Sequence, residues 1–99
     1  MMRIRPVTVT NGNTGAVINT ATVAKASKPN RRLLIIKNTH GTAVAFTITF
    51  GSQVPVAGTT GYTMLPADPP LVFNSESMPT EAINIISGTA SVLFTIIEG

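Results

Sequence analysis

From Ala43 to Phe50 the chain alternates without interruption, with Val44, Phe46, Ile48 and Phe50 on one side and Ala43, Ala45, Thr47 and Thr49 on the other. Successive side chains point to opposite faces only in an extended chain, so this period of two predicts a strand with one face in a core and a small or polar face away from it. No stretch carries a helical period over three turns, and helix is confined at most to a turn around Ser75 to Ala82. Threonine, valine and isoleucine dominate, whereas the long straight side chains that furnish helix surfaces are scarce. The expected fold class is all-β.

Other segments follow the same logic. Ala90 to Ile97 alternates with both faces partly apolar, which predicts a central strand or one covered by a neighbour. Leu33 to Ile36 is a short unbroken apolar run between Pro29-Asn30 and Asn38, as expected of a strand buried on both faces. Weaker strands are expected at Met2 to Thr10, Val17 to Ala24, Tyr62 to Leu65, Leu71 to Asn74 and Ile83 to Ile86, and Pro6 restricts the first to a sheet edge. Turn residues recur at the spacing of sandwiches and barrels, and His40-Gly41 is the best hairpin candidate. Gly51 to Pro70, rich in Pro and Gly and without charge before Asp68, reads as a long exposed excursion. At 99 residues and 43% hydrophobic, the chain suits one domain, residues 1–99. The expected architecture is a single antiparallel β-sandwich, jelly-roll-like, with one long central loop.

The charges are few and segregated. Arg3, Arg5, Lys25, Lys28, Arg31, Arg32 and Lys37 all precede residue 38, and Asp68, Glu76, Glu81 and Glu98 all follow residue 67, so a net charge of +3 conceals a basic front and an acidic back. A basic face points first to nucleic acid, yet four of the five aromatic residues sit in apolar strand patterns and are expected in the core rather than as stacking platforms. Nucleic acid is therefore not the expected partner, and a polyanion-binding module is kept as an alternative.

An enzyme is not expected. With one His, one Asp, three Glu and no Cys, the inventory for acid–base work is thin. His40, Asp68 and a serine could be drawn as a triad, but no serine has the surroundings of an activated nucleophile. A metal at His40 would need carboxylates from distant segments, and Gly12-Asn13-Thr14-Gly15 lacks the lysine and helix of a phosphate loop, so it reads as a surface turn. No cofactor, metal or small-molecule substrate is expected. The longest apolar run, Leu33 to Ile36, is far too short to cross a membrane, and no targeting segment is visible, so a soluble protein is expected. The lack of cysteine rules out disulfide bonds and fits assembly in a reducing cytosol.

The run Lys28-Pro29-Asn30-Arg31-Arg32-Leu33-Leu34-Ile35-Ile36-Lys37-Asn38, with its Gly-containing turn and the alternating strand ending Phe50-Gly51, resembles a pattern of small bacteriophage virion proteins. In those proteins a Pro-Asn-Arg turn enters a buried strand that ends in Asn. Residues 79–88, Pro79-Thr80-Glu81-Ala82-Ile83-Asn84-Ile85-Ile86-Ser87-Gly88, and the closing Ile96-Ile97-Glu98-Gly99 resemble the C-terminal hairpin of the same proteins. The resemblance implies an all-β component of the virion, assembled in the host cytoplasm: a capsid decoration (cement) protein, or a head or tail fibre domain. It carries over no catalytic residue.

On that reading the partners are the major capsid protein and copies of the chain itself, in a trimer or other closed ring. The basic residues Arg3, Arg5, Lys25, Lys28, Arg31 and Arg32 would dock on an acidic lattice, while Asp68, Glu76 and Glu81 meet the basic patch of the next copy. The bland alternative is a solvated rim of charge, since strands from both halves interleave in a sandwich.

Overall fold

The computed structural model describes residues 7–74 and 78–99, and among these there is no helix. Eight strands follow in order: β1 (Thr8–Asn13), β2 (Thr22–Lys25), β3 (Leu34–Asn38), β4 (Phe46–Phe50), β5 (Tyr62–Met64), β6 (Leu71–Phe73), β7 (Ile83–Ile86) and β8 (Leu93–Glu98). They form two four-stranded sheets, ordered β1-β8-β3-β6 and β2-β7-β4-β5. Every pairing is antiparallel, and four of them are nested: β1 with β8, β2 with β7, β3 with β6 and β4 with β5. The additional pairs β3·β8 and β4·β7 close each half into a sheet.

The sheets face each other across one core, so the molecule is a β-sandwich. Leu34 and Ile36 of β3 and Phe94 and Ile96 of β8 meet Phe46 and Ile48 of β4, Met64 of β5, and Ile83 and Ile85 of β7, all at most 4% exposed. The period of two in the sequence thus becomes the inward face of each strand. Phe46 and Phe94 bridge the sheets edge to face, with ring centroids 6.3 Å apart at 79°, and Phe50 and Phe73 do the same at 5.7 Å and 90°. As expected, β8 is central, between β1 and β3.

The hairpin expected at His40-Gly41 does not form. β3 and β4 lie in opposite sheets, so residues 39–45 cross from one layer to the other. Gly41 is not among the glycines with positive φ. Buried Asn38 holds the crossing: its Nδ2 donates to the carbonyls of Val44 and Met64, both at 2.9 Å, and its Oδ1 accepts from the His40 N–H at 3.0 Å. A backbone leaving its ladder inside a core needs such substitute partners. Ser87 plays the same part where β7 passes to β8, donating to Ala45 O at 2.7 Å and accepting from Thr89 N at 3.1 Å. Residues 79–99 are likewise not a hairpin, because β7 and β8 belong to different sheets.

The central segment is not a free excursion either. Residues 51–61 fold back over the outer face of β4, and residues 62–64 form β5 within the strand expected at Tyr62 to Leu65, which divides the long central segment. Thr47 and Thr49, assigned by alternation to the small or polar face away from the core, are 1% and 3% exposed beneath this cover. Thr47 Oγ1 accepts from Gly58 N and shares a hydrogen bond with Thr63 Oγ1, each at 3.0 Å. Asn84 Nδ2 donates to the carbonyls of Gly51 at 2.8 Å and Gln53 at 3.2 Å. At Gly61, where φ is +121°, a Cβ would lie 2.5 Å from Ile48 O. Only glycine allows that approach.

Candidate functional site

The charged residues singled out in the sequence have different fates. Arg31 is an internal strut: its side chain is fully covered. Nε donates to Glu98 Oε2 at 3.0 Å, Nη1 to Pro79 O at 2.8 Å and Glu81 O at 3.2 Å, and Nη2 to Ala26 O at 3.1 Å. A planar guanidinium offers five donors and keeps its charge, so it is buried only where acceptors converge in this way. The expectation that Arg31 docks on a partner is therefore corrected. Its neighbour Arg32 is exposed, so the two adjacent arginines part to opposite environments.

Lys25 is also turned inward. Its Nζ lies 3.1 Å from Glu98 Oε1 and donates to Thr10 Oγ1 at 3.2 Å, joining β2 of one sheet to β8 and β1 of the other. Burial by itself would raise the pKa of Glu98, but the hydrogen bonds and charges of Lys25 and Arg31 outweigh it and hold the carboxyl below its ordinary value. Lys37 Nζ donates to the carbonyls of Pro66 and Asp68, the latter at 2.6 Å, and Asp68 Oδ2 accepts from Leu65 N at 2.8 Å. Three of the five described cations, Lys25, Arg31 and Lys37, thus hold internal partners. Part of the basic front and the acidic back closes within one chain. Lys28 is half-buried and Glu81 exposed, while Arg3, Arg5 and Glu76 lie outside the described residues.

His40 and Asp68, the two residues that a triad would draw on, each accept a bond from a backbone N–H. His40 Nδ1 accepts from Leu93 N at 3.2 Å, and Asp68 holds the turn at Leu65. Among the described residues no cluster of three His, Cys, Asp or Glu side chains could hold a metal. Gly12 and Asn13, expected in a surface turn, instead end β1, Thr14 is buried, and the chain turns only after Asn13, whose Oδ1 accepts from Gly15 N at 2.8 Å.

What the fold does assemble is apolar surface. On the outer face of the first sheet, register places Val9 opposite Ile97, Ile97 opposite Ile35, and Ile35 opposite Val72. These four side chains form one row across all four strands. Val9 is 56% and Val72 58% exposed, and Ile35 and Ile97 between them are half-buried. Side chains directly opposite one another in an antiparallel pair pack together, so the row is a continuous ridge. Sequence reasoning did not collect these residues as a site, although the apolarity of both faces at Leu33 to Ile36 and at Ala90 to Ile97 was its trace.

A second apolar feature lies on the other sheet. A hollow of about 290 Å³ between the 54–57 segment and Ala21 has Ile86 in its lining, and a smaller one of about 140 Å³, lined by Val23 and Asn84, adjoins it. Val54 and Val56, along its rim, are 68% and 51% exposed. The hollow is large enough for an apolar side chain of a partner. In comparisons with known proteins, no family model, no curated protein and no solved structure matches the chain.

Proposed function

We propose that the protein is a structural component of a bacteriophage virion that decorates and stabilises the capsid by bridging neighbouring shell subunits, with the major capsid protein and copies of itself as partners. The observation that carries this reading is the apolar row Val9–Ile97–Ile35–Val72 on the outer face of the first sheet, exposed at both ends, a surface of the kind that gains from being repeated over a lattice. The nested strand pairing supports reading the sandwich as a jelly roll, a single long hairpin of paired strands rolled over, which is a fold common in capsid proteins. The resemblance of residues 28–50 and 79–99 to small virion proteins points the same way. The test is co-sedimentation of the purified protein with emptied shells. The wild type binds, and Val72→Lys, a change at an exposed position, weakens binding roughly tenfold or more while leaving the fold intact. Absence of binding by the wild type at low salt overturns the proposal.

A fibre or receptor-binding role is the second reading, favoured by the apolar hollow beside Val54 and Val56. It is distinguished by binding to intact host cells that Val54→Asp abolishes, with no binding to shells.

A further inference from the structure

Each sheet of an open sandwich has two edge strands, whose unpaired backbone groups invite another chain unless something blunts them. Three of the four edges here are blunted. β6 is three residues long and follows Pro69-Pro70, β5 is three residues long, and β2 is four residues with a break in register between Val23 and Lys25. β1 differs from all of them. It has six residues in unbroken register with β8, and from Val7 to Asn13 it carries neither a charge nor a proline.

The direction of its free groups follows from the ladder. Thr14 N donates to Val92 O at 3.0 Å, so Thr14 and Val92 are a hydrogen-bonded pair. In an antiparallel ladder such pairs alternate, so Thr8, Thr10 and Gly12 bond to β8, while Val9, Asn11 and Asn13 direct their N–H and C=O groups off the edge. An edge of this kind is complementary to itself. Two copies related by a two-fold axis set the same sequence antiparallel to itself, and a strand without charge meets no like charge there.

We infer that β1 is a self-association edge, and that two copies of this chain join through antiparallel pairing of residues 7–11, centred on Val9, into a continuous eight-stranded sheet. The outer row selects this register. With Val9 opposite Val9 of the second copy, the apolar ridge runs unbroken from Val72 of one copy to Val72 of the other. Centring on Asn11 instead would set Val9 against Asn13 and interrupt it. The pair so formed is isologous, a two-fold dimer rather than the closed ring that the order of charges suggests. The inference does not rest on the capsid reading, because it is measured on the isolated protein.

The chain has no cysteine, so a single introduced thiol reports the geometry without background. Opposed residues of a hydrogen-bonded antiparallel pair lie about 5.5 Å apart between Cα atoms, within the span of a disulfide. Val9→Cys is expected to give a covalent dimer under mild oxidation, and Val72→Cys, at the far end of the same row, is expected to remain a covalent monomer. Light scattering should give the wild type twice the 10.3 kDa chain mass. Asn11→Pro, which removes an outward N–H and leaves the backbone ladder to β8 while losing the side-chain bond from Thr95 Oγ1, should give half that mass. Val9→Lys, which sets like charges opposite each other at an exposed position, should do the same if the proline disturbs the strand. A wild type that is monomeric at every concentration, or a dimer that Val9→Cys does not link, overturns the inference.

Discussion

Arg31, Lys25 and Glu98 form the ionic end of the sandwich, opposite the end where Asn38 and Ser87 hold the crossings. Arg31 satisfies three part-buried backbone carbonyls besides the buried Glu98 carboxylate, so removing it takes a donor from all four acceptors at once. Arg31→Ala is therefore expected to cost about 3–5 kcal/mol in chemical denaturation. The pH dependence follows from Glu98, whose folded pKa lies below the ordinary 4.5. A depressed carboxyl stabilises the fold above its unfolded value, and that contribution is lost as pH falls through the lower folded value. Urea midpoints should accordingly drop on acidification below the ordinary carboxylate range, and Glu98→Gln should flatten the dependence over the same interval. An unchanged slope in the variant would show that another group governs acid stability. The sequence displayed the basic front and the acidic back. It did not display that Arg31 meets Glu98 across 67 residues, because an ion pair of that span exists only once strands from both ends stand side by side.

At the scale of elements, the period of two located the strands well. Ile83 to Ile86 was placed with its observed limits, β4, β5 and β6 lie within the segments assigned to them, and β8 runs one residue past its own, to Glu98. Residues 2–6 of the first expected strand lie outside the described residues, β1 continues past Thr10 to Asn13, the second strand is confined to Thr22–Lys25, and residues 14–21 between them carry the chain from one sheet to the other. Alternation names two faces but not what lies over each, and so it placed Thr47 and Thr49 on a small or polar face without showing that the 51–61 segment covers it. The 51–61 cover over them depends on the close approach at Gly61, where an added Cβ would meet Ile48 O at 2.5 Å and the Thr47 and Thr49 methyls at 2.8 and 2.9 Å. Gly61→Ala should destabilise the protein by about 1–3 kcal/mol, combining a strained positive φ with this clash. Hydrogen exchange should then show faster exchange at Gly58, whose N–H is held by Thr47. A thermal midpoint equal to that of the wild type would contradict this account of the cover.

For the whole molecule, the deciding fact is which sheet each strand joins. His40-Gly41 had the residues of a tight turn between two strong strands, yet the chain crosses between layers there, because β3 finds β8 and β6 while β4 finds β7 and β5. Asn38 joins those layers directly through the carbonyls of Val44 and Met64. Asn38→Ala strands both carbonyls in the interior and is expected to cost about 1–3 kcal/mol. Asn38→Asp, which replaces the donor with a further acceptor, should cost more, and urea denaturation of the two variants gives the order.

The alternation of Val, Ile and Phe with Thr determined an all-β chain and the inward face of its strongest strands, because the direction of a side chain along an extended backbone is a local property. The absence of cysteine determined that no disulfide assists the core. Tertiary structure alone decided the sheet of each strand, the internal pairing of Lys25 and Arg31 with Glu98, the cover over Thr47 and Thr49, and the alignment of Val9, Ile97, Ile35 and Val72 into one ridge. Each of these depends on register between segments far apart in the chain, such as Thr8 against Glu98, and no local pattern records it.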